Sequence, residues 1–115
     1  MKFGLFYQIQ VPKPWDEDSE SKRIWEALDQ IEYAEEMGYD YVLFSDHIVS
    51  GNPVTYPKIR GNNATTPYHE PFVTMGYLAA VTQRIKLTTG VLVLPQRQTA
   101  LAAKQAAEVD VLSEG

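Results

Sequence analysis

Apolar residues recur along this chain with two different periods, and the switches between them predict its elements. Lys2 to Tyr7 has the two-residue period of a strand, with Phe3, Leu5 and Tyr7 on one face and Phe6 on the other. Apolar residues on both faces suit a strand covered on both sides, as in a parallel sheet. Gln8 to Trp15 carries two prolines and reads as a loop. From Ser19 to Met37 the period is helical. Ile24, Ala27, Leu28 and Ile31 share one face, and Lys22, Glu26, Asp29 and Glu36 lie opposite. Asp16, Glu17, Asp18 and Glu20 put negative charge at the helix start, where the macrodipole favours it. Gly38 is placed to cap the helix end. Asp40 to Ser45 then reads as a buried strand, β-branched, aromatic and apolar.

The periodicity lapses over residues 48–70, a long loop with three prolines, two glycines and three asparagines. Loops of this length inside a compact domain are usually functional or disordered. Pro71 suits the first turn of a helix, and Phe72, Met75, Leu78, Ala79 and Thr82 give that helix its buried stripe. Arg84 to Leu94 alternates again as a third strand, which Pro95 ends. Thr99 to Leu112 is alanine-rich and has high intrinsic helix propensity. The order β-α-β-loop-α-β-α predicts an α/β fold, with parallel strands joined by right-handed crossovers.

Composition narrows the function. The 115 residues make one domain at most, and 44% hydrophobic content is enough for a core. Net charge is −5 and the ten Lys and Arg are scattered, which argues against nucleic acid and anionic membrane surfaces as partners. Without cysteine there is no disulfide, thiolate zinc site or thiol nucleophile. Two histidines, His47 and His69, give no reason to expect a metal site. The N-terminus lacks the apolar core of a signal peptide, and no apolar run approaches a membrane span, so a cytoplasmic location is expected.

The candidate chemistry gathers where strands run out into loops. Ser45-Asp46-His47 follows the second strand, and α/β folds place their reactive groups at that end. His47 is either an acid/base group or a histidine donating to a backbone carbonyl. Asp46 is either its orienting partner or a loop cap. Neighbours on an extended chain point to opposite sides, so the two are not expected to bond each other. Gly90, inside the third strand, marks either a bulge or the close approach of a flat ligand. Thr88 and Thr89 beside it would hydrogen-bond such a ligand, or are simply strand residues. Tyr7 either lines the same mouth or packs in the core. Tyr56, Tyr68 and His69 are lid residues or loop anchors. Gln8-Ile9-Gln10-Val11-Pro12 is unlike a Gly-rich dinucleotide loop.

Six stretches in order resemble the luciferase-like monooxygenase family. They are Lys2-Phe3-Gly4-Leu5-Phe6, residues 34–40, Phe44-Ser45-Asp46-His47, residues 78–87, residues 89–95 and residues 103–113. The Ser-Asp-His form resembles the branch that uses the deazaflavin coenzyme F420. The resemblance implies that residues 1–115 are the N-terminal part of a (β/α)8 TIM barrel, holding the first three of eight units. It implies a flavin- or deazaflavin-dependent oxidoreductase, with F420 as first choice and FMN as second. The expected chemistry is hydride transfer or oxygen insertion on a small organic substrate.

His47 would then serve the reactive ring edge, and Asp46 would contact the ring's pyrimidine side or its ribityl chain. Thr88, Thr89, Gly90 and Val91 would lie behind the ring, with a cis or bulged peptide at Gly90–Val91. Three units are expected to leave an open sheet with Phe3, Leu5, Leu43, Leu87, Val91 and Val93 uncovered. The isolated chain is therefore expected to form homo-oligomers and to bind the cofactor weakly. The rival reading is a non-catalytic flavin-binding or assembling partial-barrel protein.

Overall fold

The computed structural model describes residues 1–11, 13–58, 64 and 66–115. Its elements are β1 (Gly4–Tyr7), α1 (Ser19–Glu36), β2 (Tyr41–Ser45), α2 (Pro71–Val81), β3 (Lys86–Val91), a short 3-10 turn at Leu94–Gln96, and α3 (Thr99–Leu112). The strands form one parallel sheet in the order β1-β2-β3, as the alternating pattern predicts.

Register explains the core. Leu5, Val42 and Leu87 are aligned across the sheet, and so are Tyr7, Phe44 and Thr89. These rows face the helices, where Val42 and Phe44 pack with Leu28 and Ile31 of α1 and with Phe72, Met75 and Leu78 of α2. α3 presents Ala102 as its buried residue. Gly38 follows α1 at φ +89°, a left-handed conformation that glycine adopts without strain and that turns the chain into β2.

Leu5 and Leu87 therefore pack against the core, where the sequence reading placed them on the uncovered surface. Strand alternation puts Phe6, Leu43 and Thr88 on the face away from the helices. On that face Phe6 is 54% exposed, and Val91 at the end of β3 is 51% exposed.

The strands are shorter than their apolar runs. β3 leaves the ladder after Val91 because β2 ends at Ser45, and the Val93 N–H turns to the Asp46 carboxylate. At the opposite end, Glu35 of α1 caps the turn into β3. Its carboxylate accepts the backbone N–H groups of Gln83, Arg84 and Ile85. Burial works to raise its pKa, but those hydrogen bonds and the Arg84 charge outweigh it and leave the pKa lowered. Among the described residues no helix is long and apolar enough to cross a membrane.

Candidate functional site

The C-terminal ends of the strands carry the chemistry, and a buried ion pair organises them. Asp46 is 1% exposed. Arg97, just beyond the 3-10 turn, donates from Nε to Oδ2 at 2.9 Å and from Nη2 to Oδ1 at 2.6 Å. The Val93 N–H adds a third bond at 3.0 Å. A buried carboxylate needs this degree of pairing to stay charged. The hydrogen bond from Arg97 is the main reason Asp46 is held below the usual carboxylate range; burial opposes it, and Val93 assists. The same bond raises the Arg97 pKa against its own burial.

Arg97 reaches a second carboxylate. Its Nη2 donates to Glu70 Oε1 at 2.7 Å, while Glu70 Oε2 accepts the Val73 N–H at 2.7 Å and so caps α2. The guanidinium also lies 5.1 Å from the centroid of the Phe72 ring. Next to it, the Gln96 side chain brackets Val49, donating to its carbonyl at 3.2 Å and accepting its N–H at 3.3 Å. Asp46 and Val49 stand at the start of the long loop and Glu70 at its end. Arg97 and Gln96 therefore tie both feet of the loop to one short segment.

His47, the next residue, is exposed, and its ring meets Tyr68 edge-on at 4.6 Å between centroids. Gly90 is bulged. Phe44 pairs with Thr89 and Ser45 with Val91, which leaves Gly90 without a partner in the ladder. The Gly90–Val91 peptide is trans; the extra residue takes up the irregularity without a cis bond. A Cβ on Gly90 would lie 2.8 Å from Phe6 Cε2 and 3.4 Å from Leu43 Cβ. The flat group against Gly90 in this chain is thus the Phe6 ring.

The remaining candidates divide. Thr88 lies on the face of Phe6, and Thr89 lies on the helix face in the row of Tyr7 and Phe44. The Tyr7 hydroxyl donates to Gln30 Oε1 of α1 at 2.9 Å. Burial raises its pKa, with Arg23 opposing. Tyr56 is 60% exposed, on a turn whose N–H bonds back to Asn52. His69 is half-buried and lies beside Ser45 in a small cavity lined also by Tyr7 and Tyr68.

Sequence reasoning missed Arg97 and Glu70. Glu70 had a signal, an acid immediately before a proline at a helix start. Arg97 had none in its own neighbourhood, because its partner Asp46 is 51 residues away.

The arrangement offers an exposed apolar ring, Phe6, beside the exposed bulge at Gly90–Val91, with an exposed imidazole at the same end of the sheet. The Arg97 guanidinium is committed to Asp46 and Glu70 rather than to an incoming anion. Among the described residues no cluster of His, Cys, Asp or Glu is arranged to hold a metal. The family model for luciferase-like monooxygenases matches residues 1–115, the whole chain. No curated protein matches it.

Proposed function

We propose that this chain, which belongs to the luciferase-like monooxygenase family, acts as a flavin- or deazaflavin-dependent oxidoreductase on a small organic substrate. Coenzyme F420 is the first choice and FMN the second, because Ser45-Asp46-His47 has the form of the F420-using branch. The observation that carries the reading is the exposed His47 at the sheet end that also bears the bulged Gly90.

Phe6, Gly90 and Val91 would support the ring, and Thr88 shares their face. When bound, the cofactor supplies the redox chemistry, hydride transfer or oxygen insertion. The chain's own residues position and protonate. His47 holds or moves a proton at its imidazole. Asp46 does not share that task, since both its oxygens face Arg97. It fixes the backbone on which His47 is carried. The long loop, tied at both feet, would border the substrate.

A second reading has one observation in its favour. The exposed Phe6 and Val91 suit a non-catalytic assembling protein whose sheet face is covered by association.

Titration with F420 and with FMN, followed by cofactor fluorescence, separates the two. Saturable binding, tighter for F420, supports the oxidoreductase. A colourless oligomer that binds neither cofactor overturns it. With a substrate identified, His47→Ala should lower turnover by about 10²–10⁴-fold, the usual worth of a general acid or base, and should change cofactor affinity much less.

A further inference from the structure

Ser45 and His69 each bury a polar side-chain atom, Oγ and Nε2, that has no hydrogen-bond partner among the described residues. Both residues line the same small cavity, walled also by Ile9, Phe44, Tyr68 and Pro71, with a volume of about 10 Å³. Two orphaned polar atoms on residues that share one cavity are a costly coincidence, since buried polar groups are almost always satisfied. One water needs about 10–15 Å³ of such space and two to four polar partners.

We propose that this cavity is a binding site for a single internal water that bridges Ser45 Oγ and His69 Nε2. The donor and acceptor count closes. A serine hydroxyl donates once and accepts, a neutral imidazole nitrogen does one or the other, and water does both. The bridge therefore forms with either His69 tautomer. Thr74 also lines the space. Its hydroxyl proton goes to the Glu70 carbonyl at 2.9 Å, so its lone pairs are available as a third partner. The Tyr7 hydroxyl, engaged with Gln30, spends its proton elsewhere.

The site has a consequence for the mouth. The water joins the end of β2 to the segment that enters α2. That segment carries Tyr68, whose ring meets His47. The bridge thus holds one wall beside His47 in place, and it does so whether or not a cofactor binds.

A crystal structure of the unmodified chain at a resolution that shows ordered water is the test. The expected result is one well-ordered peak within hydrogen-bond distance of both Ser45 Oγ and His69 Nε2. A direct Ser45–His69 hydrogen bond with no density between them, or an empty cavity, would overturn the proposal. The variant Ser45→Ala, crystallised alongside, should lose the peak or show it at clearly reduced occupancy. A peak of unchanged occupancy and position in that variant would also count against the bridge. Neither outcome depends on cofactor binding, so failure here is distinct from failure of the oxidoreductase reading.

Discussion

Arg97 holds Asp46 through two parallel hydrogen bonds, at 2.9 and 2.6 Å, across 51 residues of sequence. The pair is almost fully buried, with side-chain exposures of 6% and 1%. Breaking it from one side leaves a charge uncompensated in the interior. Arg97→Met should therefore destabilise the chain by about 3–5 kcal/mol, read from chemical denaturation. Joint replacement by apolar residues, Asp46→Leu with Arg97→Met, should recover much of that loss, because the cost lies in the stranded charge. A single variant with unchanged stability would show that the pair does not hold the site together.

Acid should loosen both ends of the sheet. Asp46 and Glu35 each have a folded pKa below the ordinary value, which is near 3.9 for Asp and about 4.3 for Glu in unfolded chains. A depressed folded pKa means stability that is fully present above the unfolded value and lost as pH falls through the folded one. Melting temperature should therefore drop as pH falls below about 4, and less steeply in Glu35→Gln. Equal acid slopes in the two proteins would exclude a role for Glu35.

Gly90 and Phe6 should behave as a coupled pair. A methyl at Gly90 would sit 2.8 Å from the Phe6 ring, so Gly90→Ala should cost about 1–3 kcal/mol, as overpacking does. In a Phe6→Ala background the same change should cost much less. Additive losses in the double-mutant cycle would place the cost in the backbone instead.

The isolated chain should self-associate. Phe6 and Val91 are each more than half exposed on the sheet face away from the helices, and β1 and β3 both present strand edges. Sedimentation velocity should show species larger than the monomer, and Phe6→Lys with Val91→Lys should shift them toward it. A wild-type monomer across the accessible concentration range would contradict this.

Much of the fold was legible because it rests on local signals. Gly38 marked the end of α1, Pro71 the start of α2, and strand alternation gave the parallel order. The faces of β1 were harder. Phe3, Leu5, Phe6 and Tyr7 are all apolar, and only the register with Val42 and Phe44 shows that Leu5 and Tyr7 face the helices. The site was legible as positions but not as partnerships. Asp46, His47 and Gly90 stood out at strand ends, whereas the Asp46–Arg97–Glu70 cluster joins segments that no periodicity connects.

We propose that a redox cofactor ring rests at the Gly90–Val91 bulge beside His47. The most direct measurement is an amide and imidazole NMR titration of the chain with oxidised F420, repeated with FMN. The expected result is saturable shifts concentrated at Phe6, His47, Gly90 and Val91, with the F420 series saturating first. Shifts confined to the helix-facing side, or none with either cofactor, would contradict it.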